Sequence, residues 1–146
     1  MAVYGNPGPT YIELTQDVLY GTVLRSAVEY LPKVSPLPAL ELPETTLRQI
    51  IDKLKNAKQP LVIVGKGVAY SRAEEVMRSF ISKTNLPFLA TPMGKGVVSD
   101  FDKNSANSAR TFVLQNADVI LLLGARLNWI LHFGLPPRFR ADVQFI

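Results

Sequence analysis

Apolar residues along this chain follow two different periods, and the change from one to the other marks out its elements. From Thr45 to Lys58, Leu47, Ile50, Ile51 and Leu54 fall at i, i+3, i+4 and i+7, the spacing of one helical face. Pro60 closes that helix, and Leu61-Val62-Ile63-Val64 follows as an unbroken apolar strand ending in Gly65. Ser71 and Glu74 have capping-box spacing, which predicts a second helix with Ala73, Val76, Met77, Phe80 and Ile81 on its buried face. Pro87-Phe88-Leu89-Ala90 reads as the next strand, and Gly94-Lys95-Gly96 as the turn beyond it. A third helix is expected from about Ser105 to Asn116, with Ala109, Phe112 and Val113 facing the core. Asp118 then opens the strand Val119-Ile120-Leu121-Leu122-Leu123, and a turn or short helix around Asn128 to Phe133 leads to a last strand at Val143 to Ile146.

Short, wholly apolar strands alternating with helices are the signature of a parallel sheet covered on both faces, so the expected fold is α/β with a doubly wound parallel sheet. Such sheets bind ligands outside the carboxyl ends of their strands. The final strand has no crossover after it, which predicts a sheet truncated at the C-terminus and a chain that is part of a longer protein.

Upstream, Tyr11-Ile12-Glu13-Leu14 alternates after a Gly/Pro-rich turn and reads as a short strand. The stretch from Leu31 to Pro43 holds Pro32, Pro36, Pro38 and Pro43, which no helix interior or inner strand accommodates. It reads as a linker over 31–43, dividing an N-terminal remnant over 1–30 from a main domain over 44–146.

Composition narrows the chemistry. With 47% apolar residues in 146, the chain can bury a core of its own. The surplus of +4 is spread along the sequence; it suits phosphorylated ligands, and neither a nucleic-acid recognition motif nor a stacking series accompanies it. No cysteine and one histidine exclude disulfides and thiolate catalysis and argue against a protein-built zinc site. The apolar run Val119 to Leu123 is too short to span a bilayer, and Met1 to Gly8 lack the regions of a signal peptide.

Three candidate sites lie at predicted strand ends. Gly65-Lys66-Gly67 places a lysine between glycines that let backbone amides approach a phosphate, although the spacing fits neither a Walker loop nor G-x-G-x-x-G. The alternative is a plain turn with a solvated lysine. Ser105-Ala106-Asn107-Ser108-Ala109-Arg110 is small and polar and opens a helix, so it offers either an anion site with Arg110 as a bidentate donor or an ordinary helix start. Arg126, just beyond Gly124, is placed either to meet a diphosphate or adenosine or to bond a carboxylate such as Asp118. His132 has no serine or cysteine motif beside it and reads as a packed or loop-bonding residue, Asn128 as a turn cap and Trp129 as an aromatic against the sheet edge. Lys95 ranks below Lys66 as a contact near a ligand entrance.

The run Gly124-Ala125-Arg126-Leu127-Asn128-Trp129 agrees in order and spacing, together with Gly65 to Tyr70 and Thr91 to Val98, with one known group of enzymes. On these motifs the chain resembles the Rossmann-like central domain of 2-hydroxyacyl-CoA lyases and oxalyl-CoA decarboxylases, which depend on thiamine diphosphate. Tyr4-Gly5-Asn6-Pro7-Gly8 to Leu14 resembles the last strand of their pyrimidine-binding domain, and Leu135-Pro136-Pro137-Arg138-Phe139 looks more like the lyases. The resemblance implies a parent enzyme that cleaves 2-hydroxyacyl-CoA to formyl-CoA and an aldehyde in fatty acid alpha-oxidation. It implies thiamine diphosphate and magnesium as cofactors, ADP as a further ligand, acyl-CoA as substrate, a homo-oligomer, and a peroxisomal location, or a cytoplasmic one in bacteria. A partner nucleic acid or membrane is not expected.

Carried over residue by residue, the resemblance assigns the coenzyme A portion of the substrate to Ala106, Asn107, Ser108, Ala109 and Arg110, and ADP to Lys66 and Arg126. It assigns no catalytic residue and no metal ligand to this chain. Where relatives have arginine in the Gly-Arg-Pro-Gly turn, this sequence has Asn6. The glutamate and the Gly-Asp-Gly motif that hold thiamine diphosphate and magnesium are not among these residues, so the chain by itself is expected to be inactive. Three other readings remain: an oxalyl-CoA decarboxylase central domain, a noncatalytic nucleotide-binding or oligomerisation module, and a flavin-binding relative of acetolactate synthase.

Overall fold

The computed structural model describes residues 2, 8–35 and 40–146. Asn6 and its neighbours, and Pro36 and Pro38 of the expected linker, lie outside the described residues. Contacts divide the chain into two units, Met1–Leu42 and Pro43–Ile146.

In the first unit a single short α-helix, α1 (Gln16–Tyr20), and a 3-10 turn at Arg25–Ala27 are the regular elements among the described residues. The strand expected at Tyr11 to Leu14 does not form. Its alternation is real, but among the described residues no neighbouring strand takes up its hydrogen bonds, and Tyr11 and Ile12 are 85% and 79% exposed.

The second unit contains four parallel strands in the order β2-β1-β3-β4: β1 (Pro60–Val64), β2 (Phe88–Ala90), β3 (Val119–Leu123) and β4 (Gln144–Phe145). β1 is central, with Val62 opposite Phe88 on one side and Leu121 on the other. Alternation along β1 divides the core in two. Val62 and Val64 join Met77, Ile81, Phe88 and Val98 on one face, while Leu61 and Ile63 join Leu89, Leu114, Ile120 and Phe139 on the other. The first face is covered by α2 (Glu44–Asn56), α3 (Lys66–Tyr70) and α4 (Glu74–Thr84), and the second by α5 (Arg110–Asn116) and the segment after β3. Helices on both faces of a parallel sheet make this the doubly wound α/β fold that the strand pattern predicts. Among the described residues no helix is long and apolar enough to cross a membrane.

Three local expectations need correction. The turn after β1 is already a helix, α3, so Ser71 ends that helix instead of capping the next one; α4 begins behind Ala73 with no side-chain cap. Asn85, in the left-handed region at φ 53, then terminates α4 by donating its backbone N–H to the Ile81 carbonyl. The helix expected from Ser105 is broken at Ala109, whose ψ of 21° separates a 3-10 turn from α5. That break rotates the buried face: Leu114 and Ala117 enter the core, Val113 packs at its edge, and Ala109 and Phe112 are exposed.

Candidate functional site

The strand order places the reversal of winding between β1 and β3, because β2 lies on one side of β1 and the chain then crosses to the other. At such a switch point the loops leaving two adjacent strands diverge and leave a crevice. Here the crevice is a cavity of about 80 Å³ lined by Lys66 after β1, Thr91 and Met93 after β2, and Arg126 and Asn128 after β3. The fold thus brings Lys66 and Arg126 to one opening from positions 60 residues apart.

The glycines flanking Lys66 have a cause visible in the backbone. A Cβ at Gly65 would lie 2.2 Å from the Gly124 carbonyl oxygen, and one at Gly67 would lie 2.7 Å from the Gly124 Cα. The Gly65 and Gly67 amides donate to the Leu123 and Gly124 carbonyls at 2.8 and 3.0 Å. These amides are therefore spent on joining two strand ends, and the glycines serve close packing in place of the phosphate approach that their pattern predicts. Lys66 is half-buried, and its ammonium stands 5.0 Å from the Tyr70 ring centroid, a cation–π contact that steadies the charge at the cavity wall. Arg126 does not meet Asp118. That carboxylate sits at the opposite end of β3, where it accepts the backbone N–H groups of Lys58 and Gln59 at 2.7 and 2.9 Å.

Ala106 to Arg110 lie beside the end of β2 and do not line the cavity. Ala106 donates its N–H to the Phe88 carbonyl at 2.9 Å. Asn107 is fully engaged: its Oδ1 accepts the Ala90 N–H at 3.1 Å, and its Nδ2 donates to Asp100 Oδ1 at 2.9 Å and Ser105 Oγ at 3.1 Å. Its side chain therefore fixes the loop against the strand, while Ser108 and Ala109 are exposed. Arg110 reaches back to the Ala90 carbonyl through a long 3.5 Å contact. Burial, and then the nearby Arg138 charge, hold its guanidinium below the usual arginine range.

The other singled-out residues are accounted for locally. Asn128 caps the 3-10 segment Trp129–Gly134 by accepting the Ile130 N–H at 3.1 Å. Trp129 is 73% exposed and does not pack into the sheet edge, because the turn that Asn128 starts carries it outward. His132 is exposed and holds a left-handed φ of 48°. Lys95 pairs with Asp100 at 2.9 Å on the surface. Arg138 had no role in the sequence; its proximity to Arg110 arises only when the Leu135-to-Phe139 segment folds over α5, where Arg138 Nη1 donates to Thr111 Oγ1 at 3.0 Å.

Thiamine diphosphate with its magnesium requires oxygen ligands for the metal, and this edge does not provide them. The cavity lining carries no carboxylate, and among the described residues no group of three acidic or histidine side chains could hold a metal. These residues do not fit that cofactor, and no chemical step is derived through it.

The fold is thus a doubly wound α/β domain with two cationic side chains at its switch point. The chain belongs to the thiamine pyrophosphate enzyme family by its central domain, whose family profile matches residues 47–146. It is 48% identical over 99% of its length to 2-hydroxyacyl-CoA lyase 1 of Mus musculus and 45% identical over 99% to that of Homo sapiens. It is 43% identical over 100% of its length to oxalyl-CoA decarboxylase of Escherichia coli (strain K12). In each case it spans about a quarter of the relative, 25% of the two lyases and 26% of the decarboxylase.

Proposed function

We propose that this chain is the coenzyme-A-handling central domain of a thiamine diphosphate-dependent 2-hydroxyacyl-CoA lyase, an enzyme that yields formyl-CoA and an aldehyde in fatty acid alpha-oxidation. The observation carrying this reading is the 48% identity to a 2-hydroxyacyl-CoA lyase across 99% of the chain. The edge formed by Ala106 to Arg110 supports it: Asn107 holds the loop in place beside β2, and Arg110 supplies a half-buried cation for a phosphate of the coenzyme A handle. At about 80 Å³ the cavity between Lys66 and Arg126 is too small to enclose a nucleotide, so we assign to its opening only the diphosphate of a ligand such as ADP.

In this division of labour the domain performs no bond cleavage. It binds the remote part of the substrate, and that binding energy is used to hold the reacting carbon in place elsewhere in the enzyme. Replacing Arg110 with alanine in the active enzyme accordingly raises KM for the acyl-CoA more than it lowers kcat; an unchanged KM refutes the assignment. The thiamine diphosphate and magnesium sites belong to other parts of the enzyme, which we place in a homo-oligomer, peroxisomal in eukaryotes and cytoplasmic in bacteria.

The similarity to oxalyl-CoA decarboxylase over 100% of the chain favours a second reading, decarboxylation of oxalyl-CoA. Peptide mapping and intact mass of the native protein, followed by assay of both substrates, separate the readings. Aldehyde released from 2-hydroxyacyl-CoA supports the lyase, and carbon dioxide released only from oxalyl-CoA assigns the decarboxylase. A native 16.1 kDa species without either activity that still binds coenzyme A is a noncatalytic module.

A further inference from the structure

We infer that Asp100 is a positioning residue for the edge formed by Ala106 to Arg110: its carboxylate sets the Asn107 amide, and through it the turn from which Arg110 projects. The ligand is the one given by the coenzyme A reading, on which this inference rests, but the linkage stands on contacts within the chain. Asp100 Oδ1 accepts from Asn107 Nδ2 at 2.9 Å, and Asp100 Oδ2 accepts from Lys95 Nζ at 2.9 Å. An ionised carboxylate can only accept, so it draws the NH₂ end of the amide towards itself. Asn107 Oδ1 is thereby left facing β2, where it accepts the Ala90 N–H at 3.1 Å.

Reversing that amide would set acceptor against acceptor at Asp100 and donor against donor at Ala90. Ser105 Oγ also accepts from Asn107 Nδ2, at 3.1 Å, but a hydroxyl turns to donate or accept and does not choose the orientation. The choice falls to Asp100. Asn107 opens the 3-10 turn Asn107–Ala109, and α5 begins at Arg110 directly behind it, so fixing Asn107 fixes the start of the helix that carries Arg110. Arg110 Nη1 meets the carbonyl of the same Ala90 at 3.5 Å, so one residue at the end of β2 receives both side chains. Lys95 holds the second carboxylate oxygen and offsets the negative charge that Asp100 would otherwise present to an anion on this edge.

Charge and position predict opposite signs. Removing a carboxylate beside an anion site strengthens phosphate binding if Asp100 acts only through its charge, whereas loss of the Asn107 orientation weakens it. Calorimetric titration of the 146-residue chain with coenzyme A compares the unaltered chain with Asp100→Ala, Asp100→Asn and Arg110→Ala. Thermal melts establish that each is folded, and Asp100→Ser takes the place of Asp100→Ala if that variant is not. The expected result is coenzyme A affinity weaker by about fivefold in Asp100→Ala, the loss of one hydrogen bond. Asp100→Asn restores the affinity, because its carbonyl still accepts from Asn107 Nδ2 although its charge is gone. In the active enzyme Asp100→Ala raises KM for the acyl-CoA more than it lowers kcat. Binding that Arg110→Ala weakens and Asp100→Ala leaves unchanged or strengthens overturns the positioning role and leaves the coenzyme A reading standing. Equal losses in Asp100→Ala and Asp100→Asn also overturn the positioning role. No coenzyme A binding by the unaltered chain, or binding that Arg110→Ala does not weaken, overturns both.

Discussion

Replacing Gly124 with alanine tests the packing that brings Lys66 and Arg126 to one cavity. The new Cβ would lie 2.5 Å from the Val68 nitrogen and 2.7 Å from the Gly67 Cα, and both are backbone atoms that no rotamer change can move. Gly124 also holds φ at +62°, a conformation that costs an L-residue about 1–2 kcal/mol. Overpacking adds about 1–3 kcal/mol. Gly96 separates the two effects, because its φ is +88° but a Cβ there meets nothing within 4 Å. Gly96→Ala is thus expected to lose only the backbone part, about 1–2 kcal/mol, and Gly124→Ala about 2–5 kcal/mol. Urea unfolding followed by circular dichroism reads both from the midpoint at constant m-value. Equal losses at the two positions, or a loss below about 1 kcal/mol at Gly124, would refute the close-contact argument.

Three further outcomes follow from the same structure. Lys66→Ala and Arg126→Ala each weaken ADP binding by about tenfold, read by calorimetry, since each removes one cation from the same cavity; unchanged affinity in both variants removes the nucleotide from that cavity. Asp118→Ala destabilises the domain by about 1–2 kcal/mol near neutral pH by leaving the Lys58 and Gln59 amides without their acceptor. Desolvation opposes ionisation of Asp118, but the backbone amides of Lys58 and Gln59 outweigh it and hold the carboxyl below its ordinary value. A depressed folded-state pKa gives stability that is present above the unfolded value of about 3.9 and is lost as pH falls through the folded one, so the difference between Asp118→Ala and the unaltered chain shrinks below about pH 4. A difference that stays constant down to the acid transition contradicts this assignment.

The strands were legible because parallel strands buried on both faces must be apolar throughout, and Leu61 to Val64 and Val119 to Leu123 leave no other reading. Tyr11 to Leu14 shows the limit of the same logic, since alternation reports a face to bury and not the neighbour that would bury it. Phe112 was misplaced because a one-residue break at Ala109 rotates everything after it, and nothing in Ser105 to Arg110 announces that break. Lys66 and Arg126 were singled out because both follow strands with glycines, a pattern visible along the chain, and the fold brings both to one cavity. The packing of Arg138 on Thr111 was not legible, because 27 positions separate them and only the folding of one segment over α5 unites them.

Amide hydrogen exchange of the 146-residue chain with and without saturating coenzyme A tests the central claim most directly. The account predicts slowed exchange in residues 105–111, where the ligand's phosphate would sit, with smaller changes around Lys66 and Arg126. Exchange unchanged throughout the chain, or protection confined to a surface remote from the carboxyl ends of the strands, would contradict it.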